Sequence, residues 1–209
     1  MTMVKICGIT AEQDGIAAAE AGADLLGFVF YPTSRRNIGP QQAARIISAV
    51  SRAGYPVQFV GVFVDERESY VQEIAARCHL DYVQLHGNEP PQLVARLAQH
   101  GLSVIKGMRV VDEESLREIA RYSPHLYLLD SYIPGTPGGS GEAFDWRIAL
   151  MAKDLGPFLL AGGLNPDNVA VAVRTVQPWG VDVSTGVESS PGHKDHAKMR
   201  RFIARAKGA

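Results

Sequence analysis

Residues 158–187 read FLLAGGLNPDNVAVAVRTVQPWGVDVSTGV. The short apolar runs Phe158–Ala161 and Val181–Val183 predict buried strands. Neither shows the extended alternation of apolar and polar residues that is typical of a strand with one face in solvent. Between them, Asn165 and Pro166 predict the start of a helix, as a side-chain cap followed by a first-turn proline. The stretch is therefore typical of two parallel strands joined by a helix.

The same alternation runs along the whole chain. Apolar runs predict eight strands at Val4–Ile9, Leu25–Phe30, Phe59–Val64, Tyr82–Leu85, Ser103–Met108, Leu126–Leu129, Phe158–Ala161 and Val181–Val183. The segments between them predict helices at Ala11–Ala21, Gln41–Arg52, Glu66–Arg77, Pro91–His100, Glu113–Arg121, Asp145–Lys153, Asn168–Val176 and Asp195–Ala206. Capping boxes are predicted for Thr10 with Gln13 and for Asp65 with Glu68.

Eight strand–helix units predict an α/β fold, a single closed (β/α)8 TIM barrel whose one domain spans residues 1–209. A doubly wound open sheet is the structural alternative. It is disfavoured because the chain has no dinucleotide-binding glycine fingerprint and no length left for a second domain.

Composition restricts the class of protein. The 209 residues are 46% hydrophobic and 21% charged, with a net charge of −1, so nothing favours nucleic acid or an anionic membrane as a partner. The two cysteines, the absence of a signal-peptide pattern and the absence of a membrane-length apolar run predict a cytoplasmic protein. A monomer and a homodimer are both compatible with the sequence.

Active sites of such barrels lie where the strands end, so the residues that end each apolar run are the candidates. In the first run, Lys5 and Cys7 share a face, and a cation beside a thiol favours the thiolate that acts as base or nucleophile. In the sixth, Asp130 follows a purely apolar run, where desolvation would suit a general acid. The plainer alternatives are a small buried cysteine and an Asx-turn or helix-cap aspartate.

Two further strand ends carry polar candidates. The adjacent Arg35 and Arg36 after the second run could hold a carboxylate, although a solvated surface pair is the alternative. His86 ends the fourth run and could donate a hydrogen bond or transfer a proton, although a structural histidine is the alternative.

Glycine turns follow the last two strands. Gly162 and Gly163 end one, and Ser184 and Gly186 end the other. Loops in these two positions commonly bind phosphate through backbone N–H groups, so the sequence favours a phosphorylated small molecule over turns without a ligand. His193 and His196 have no further ligand near them, and no metal site is predicted.

Several segments together resemble the phosphoribosylanthranilate isomerase family. They are KICGIT at 5–10, GFVFYPTSRR at 27–36, VGVFV at 60–64, VQLHG at 83–87, GGSGEAFDW at 138–146, LAGGLNPDNV at 160–169 and GVDVSTGVESSPGHKDH at 180–196. They occur in the family's order along nearly the whole chain.

The resemblance implies a (β/α)8 barrel that performs an Amadori rearrangement in tryptophan biosynthesis, without metal or organic cofactor. It implies Cys7 as base and Asp130 as acid, while Arg36 meets the substrate's carboxylate. It further implies that His86 and Asp182 line the site and that the loop at 134–142 helps to cover the substrate. The phosphate-binding residues it implies are Gly162, Gly163, Ser184 and Gly186.

Three alternatives stay open at this point. The related isomerase of histidine synthesis performs the same rearrangement, but has an aspartate where Cys7 stands. A Schiff-base aldolase would use Lys106 on the fifth strand. An inactive barrel that binds a phosphorylated ligand is the non-enzyme alternative.

Overall fold

The computed structural model describes residues 1–110, 113–130 and 146–209. Eight parallel strands form a closed barrel in chain order. They are β1 (Met3–Cys7), β2 (Leu25–Val29), β3 (Gln58–Phe63), β4 (Tyr82–Leu85), β5 (Ser103–Arg109), β6 (Leu126–Asp130), β7 (Phe158–Ala161) and β8 (Gly180–Val183).

A helix follows each strand of the barrel. The helices are α1 (Glu12–Glu20), α2 (Pro40–Arg52), α3 (Glu68–Cys78), α4 (Pro91–Gln99), α5 (Glu113–Ile119), α6 (Trp146–Met151), α7 (Val169–Val176) and α8 (His196–Lys207). Short 3-10 helices occupy Ala152–Leu155 and Thr185–Val187, and a small antiparallel pair, β9 (Glu188–Ser190) and β10 (His193–Lys194), precedes α8. The prediction for the loop at 134–142 lies outside the described residues.

Closure of the barrel is decided by β1, which pairs with β2 on one side and with β8 on the other. Lys5 lies opposite Leu25 in one pairing and opposite Asp182 in the other. The predicted closed barrel is therefore confirmed, and the open doubly wound sheet is wrong. The closed barrel also supports the prediction of one domain.

Side chains alternate between the barrel interior and the layer under the helices. Leu25, Val60, Ile105, Leu128 and Leu159 form a buried cluster in the interior. The intervening strand residues join the helices in a larger apolar cluster outside the barrel. Because alternation has a period of two, residues two positions along from this interior cluster also point inward, toward the ends of the strands.

The two predicted capping boxes are wrong, although the helices that they were predicted to begin exist. The first helix begins after Ala11, and the hydroxyl of Thr10 donates to the carbonyl of Gly192 instead of capping. Asp65 accepts from the backbone N–H of Asn88 rather than capping α3. In each case the side chain binds a residue distant in the chain instead of the backbone of the helix that follows it.

The predicted cap before the seventh helix is displaced. Asn165 accepts from the backbone N–H groups of Asp167 and Asn168, which makes a turn, and α7 begins only at Val169. The last helix has a true cap, since the Asp195 carboxylate accepts from the N–H groups of Ala197 and Lys198. These backbone hydrogen bonds lower the pKa of the Asp195 carboxyl group.

Candidate active site

A cavity of about 850 Å³ opens where the strands end. All nine residues predicted for the site line it: Cys7, Arg36, His86, Asp130, Gly162, Gly163, Asp182, Ser184 and Gly186. The described structure thus brings together the side chains that the sequence placed on six different strand ends. Their roles remain predictions.

The thiol of Cys7 points into the barrel mouth against the backbone of β2. A Cβ atom at Gly27 would lie 2.8 Å from the Cys7 sulfur, so a glycine at that position leaves the space that the thiol occupies. Below it in the interior, the buried Lys5 ammonium donates to Asp182 Oδ1 at 2.8 Å. Burial alone would lower the pKa of Lys5, but Asp182 and Cys7 outweigh burial and raise it.

Lys5 acts on the thiol in the expected direction and lowers the pKa of Cys7, but burial outweighs this effect. Burial raises the pKa of Cys7, with Asp182 acting in the same direction, while Lys5 and Lys194 only partly oppose them. The sequence showed the nearby cation but not the depth of burial. Burial therefore favours the thiol form of Cys7 over the thiolate in the free protein.

A buried charge network behind Cys7 was missed by the sequence analysis. Lys194 donates to the carbonyl of Cys7 at 2.6 Å and to Glu188 Oε1 at 3.0 Å. Glu188 in turn accepts from Arg36 at Nε (2.7 Å) and NH2 (2.6 Å). Lys194 and Glu188 both lie within the segment 180–196. The family resemblance of this segment was the one signal in the sequence that could have identified them.

Arg36 faces the cavity with one edge of its guanidinium already occupied. Its Nε and NH2 atoms bind the Glu188 carboxylate, and NH2 also donates to Thr185 Oγ1 at 3.1 Å. The bidentate pair raises the pKa of Arg36 and lowers that of Glu188, although burial opposes both changes. The plain alternative of a solvated surface arginine is wrong, because Arg36 is held at the cavity wall.

His86 and Asp130 face each other across another part of the mouth. His86 Nε2 lies 3.7 Å from Asp130 Oδ2, and both side chains are about one-third exposed, at 34% and 28%. The Gln84 amide nitrogen lies 3.0 Å from His86 Nδ1. In this arrangement Gln84 donates, so neutral His86 carries its hydrogen on Nε2, facing Asp130 and the cavity.

The glycine turns have the backbone that the phosphate-site prediction requires. Gly162 and Gly163 adopt φ of 88° and 63°, a region that side-chain-bearing residues rarely enter. A Cβ atom at Gly186 would overlap the carbonyl of Leu164, so the turn after β8 packs directly on the turn after β7.

Two buried polar atoms lack a hydrogen-bond partner among the described residues, Gln84 Oε1 and Ser184 Oγ. Both residues line the cavity. Buried polar groups are nearly always paired, so two orphans in one cavity favour a ligand that supplies the missing partners.

The chain's family is decided by its match to known proteins. The family model described as N-(5'-phosphoribosyl)anthranilate (PRA) isomerase matches residues 4–205. The chain belongs to the N-(5'-phosphoribosyl)anthranilate isomerase family. It is therefore an isomerase, and its tryptophan-pathway family is the one that the sequence segments indicated.

Individual relatives of the isomerase family agree over full length. The N-(5'-phosphoribosyl)anthranilate isomerase of Geobacter metallireducens is 53% identical over 209 residues, covering 99% of this chain and 100% of the relative. The crystal structure of phosphoribosyl anthranilate isomerase from Thermotoga maritima matches with a TM-score of 0.92 at 44% identity, covering 100% of both chains. A further isomerase structure, in complex with reduced 1-(o-carboxyphenylamino)-1-deoxyribulose 5-phosphate, matches with a TM-score of 0.88 at 41% identity, again over 100% of both chains.

The geometry contradicts the aldolase alternative. Lys106 points out of the barrel, where it is 1% exposed and donates to Glu89 at 2.9 Å and to the carbonyl of Gly87 at 2.7 Å. It does not line the cavity. A Schiff-base lysine must reach the substrate, and this one is enclosed by protein.

The described residues offer neither a metal-binding cluster nor a membrane-spanning helix. Residues 1–110, 113–130 and 146–209 hold no group of three or more His, Cys, Asp or Glu side chains that could bind a metal ion. None of the helices in the same ranges is both long enough and apolar enough to cross a membrane.

Proposed function

We propose that the chain converts N-(5'-phosphoribosyl)anthranilate to 1-(2-carboxyphenylamino)-1-deoxyribulose 5-phosphate, with Asp130 as general acid and Cys7 as general base. The observation that carries this proposal is that one cavity holds both groups together with a carboxylate-binding arginine and two adjacent glycine turns. The substrate has a carboxylate at one end and a phosphate at the other, which matches this distribution of groups.

The reaction requires one proton to be donated and another removed. Asp130 donates a proton to the furanose ring oxygen as the C1′–O bond opens, which leaves an iminium conjugated with the anthranilate nitrogen. The iminium acidifies the C2′ hydrogen, which the Cys7 thiolate removes to give an enolamine. The enolamine then tautomerises to the ketone. Asp130 ends β6 and Cys7 ends β1, so the acid and the base reach the substrate from different walls of the mouth.

Binding at both ends of the substrate positions the reacting carbons. The substrate carboxylate meets the part of the Arg36 guanidinium that Glu188 leaves open, namely NH1, whose hydrogens bind no other described residue. The phosphate meets the N–H groups of the turns at Gly162–Gly163 and Ser184–Gly186, with Ser184 Oγ as a further donor. Binding energy spent at these ends holds the substrate in a reactive orientation.

His86 and Asp182 have supporting roles in this proposal. His86 Nε2 lies 3.7 Å from Asp130 Oδ2, beyond hydrogen-bond range, and helps to orient a substrate oxygen beside that carboxyl group. Asp182 holds Lys5, whose charge partly offsets the burial of the Cys7 thiol. We also propose that the protein is cytoplasmic, which is supported by two cysteines that are both free.

Turnover of freshly generated N-(5'-phosphoribosyl)anthranilate, followed by loss of its fluorescence, tests the proposal. The native chain is expected to turn it over, and Cys7→Ser and Asp130→Asn are each expected to lose about 100- to 10,000-fold in kcat. Matched controls are Cys78→Ala, a buried thiol on α3 outside the cavity, and Asp154→Asn, an exposed carboxylate after α6. Native turnover by either active-site variant would contradict its assigned role, and an inactive native chain would contradict the function.

A further inference from the structure

Lys194 is the most deeply buried charge next to the cavity whose role the proposed mechanism leaves open. Its ammonium group has no exposed surface and donates to three oxygens: the carbonyl of Cys7 at 2.6 Å, Glu188 Oε1 at 3.0 Å and the carbonyl of Ser184 at 3.3 Å. Its own backbone N–H donates to Asp14 Oδ2 at 3.1 Å. Every donor therefore binds a segment at the barrel mouth.

The three oxygens that accept from the Lys194 ammonium group belong to three parts of the site. Cys7 carries the base, and Ser184 begins the turn after β8. Glu188 holds Arg36 through two hydrogen bonds of 2.6 and 2.7 Å. One side chain thus joins the base, a phosphate turn and the arginine that meets the substrate carboxylate.

Burying an ammonium ion is expensive unless it is paired, as Lys194 is with Glu188. Burial lowers the pKa of Lys194, and Glu188 opposes that change. Hydrophobic replacements of buried ion pairs are often neutral or stabilising. The Lys194 charge differs from the equally buried Lys106 charge in lying directly behind the Cys7 backbone, and this position indicates an electrostatic role at Cys7.

We propose that Lys194 is a positioning residue. It holds the Cys7 main chain directly and the Arg36 guanidinium through Glu188, and its charge favours the thiolate of Cys7. The inference rests on the proposed function only in taking Cys7 as the base. Lys194 touches neither substrate nor reacting atoms, and it acts through Cys7 and Glu188.

The charged groups around Cys7 define what Lys194 adds. They are Lys5 from β1, Asp182 from β8, Arg36 from the loop after β2, Glu188 from β9 and Lys194 from β10. Burial and Asp182 raise the pKa of the Cys7 thiol, whereas Lys5 and Lys194 lower it. Glu188 neutralises Lys194 and Arg36, so its charge limits how far these cations can favour the thiolate.

Two substitutions are therefore expected to have opposite effects. Lys194→Met removes a cation and leaves Glu188 less balanced, which favours the thiol. Glu188→Gln keeps an acceptor for Lys194 but removes the opposing anion, which favours the thiolate. General loosening of the fold would instead expose Cys7 and speed its modification in both variants.

The test is alkylation of Cys7 by iodoacetamide in the full chain without substrate, measured across pH by mass spectrometry of the Cys7 peptide. At neutral pH, Lys194→Met is expected to alkylate Cys7 about tenfold more slowly than the native chain, and Glu188→Gln severalfold faster. Lys194→Arg is expected to restore most of the native rate. The matched control is Lys207→Met, which removes a lysine paired with Asp24 at 2.8 Å at the opposite end of the barrel and leaves the rate unchanged.

Turnover separates this inference from the proposed function. Lys194→Met is expected to lower kcat, and Glu188→Gln to raise KM by releasing Arg36. Opposite alkylation shifts in the two variants support the inference. If these shifts occur while kcat is unaffected, the result contradicts only the role of Cys7 as the base. Alkylation shifts that are equal or have the same direction in the two variants overturn the inference. If Lys194→Met does not fold, an alkylation rate in Glu188→Gln equal to the native rate overturns it.

Discussion

The described residues contain two buried lysine–glutamate pairs near the mouth of the barrel, and the pairs differ in what they bind. Lys106 and Glu89 are both 1% exposed, and their other hydrogen bonds go to backbone groups at the end of β4 and in the loops after β3 and β4. Lys194 and Glu188 are equally buried, but their other bonds go to Cys7 and Arg36. The first pair binds backbone groups around the end of β4, whereas the second binds Cys7 and Arg36, which line the cavity.

The difference lies in which side of the sheet each pair occupies. Lys106 follows the inward-facing Ile105 and so points outward, under the helices, where Tyr122 covers it at 5.6 Å from the ring centre. Lys194 arrives from β10, which folds back over the end of β1 after the barrel has closed. The same chemical pair is therefore expected to contribute to stability in one place and to catalysis in the other.

The largest expected effect is on stability, at the first pair. Glu89→Ala removes the acceptor of Lys106 and of the N–H groups of Asp65 and Gly87, leaving a buried cation without its partner. The free energy of unfolding is expected to fall by about 3–5 kcal/mol, measured by urea denaturation. The control is Glu68→Ala, which removes a partly exposed partner of the exposed Arg96 and should cost about 0–1 kcal/mol. Equal losses in the two variants would remove the distinction between buried and exposed pairs.

The second expected effect is on substrate binding, at Arg36. Arg36→Lys keeps a positive charge beside Glu188 but loses the planar guanidinium that binds Glu188 through two nitrogens and, in the proposed function, the substrate carboxylate through the third. Steady-state kinetics are expected to show kcat/KM lower by about 10- to 100-fold, mainly through KM, as for the loss of a hydrogen bond to a charged group. The adjacent Arg35→Lys, for a side chain outside the cavity lining, is the matched control. A loss confined to kcat would contradict a binding role for Arg36.

The third prediction concerns pH. The proposed base, Cys7, acts as a thiolate, and burial raises the pKa of its thiol, so the native kcat/KM is expected to rise through the neutral range. Well below that pKa, the rise approaches about tenfold per pH unit. Glu89→Gln is expected to follow the same curve, because that pair does not face Cys7. A flat acid limb in the native chain would contradict a raised pKa for the base.

The smallest expected effect tests how Arg36 is held. Thr185→Val removes the hydroxyl that accepts from Arg36 NH2 at 3.1 Å, while both bonds to Glu188 remain. KM is expected to rise about two- to tenfold, as for the loss of one hydrogen bond. Thr185→Ser, which keeps the hydroxyl, should restore native KM. A larger loss than in Arg36→Lys would show that Thr185, rather than Glu188, positions the guanidinium.

The sequence alone determined the strands closely because buried parallel strands are continuous apolar runs. Tyr82–Leu85 and Phe158–Ala161 were predicted with the bounds that the structure has. It also identified Cys7, Asp130 and Arg36 as candidates, since strand ends in such a fold meet at one mouth. Local helix caps failed, as at Thr10, because a residue distant in the chain supplied the hydrogen-bond partner.

Only the tertiary structure decided the electrostatics of the site. Lys194 and Cys7 are 187 positions apart, and Arg36 and Glu188 are 152 apart, so no spacing rule connects them. They meet because β1 closes the barrel against β8 and the chain then folds back over both. The direction of the Cys7 pKa shift follows from the same closure, since desolvation by the assembled barrel outweighs the cation that stands two residues away in the sequence.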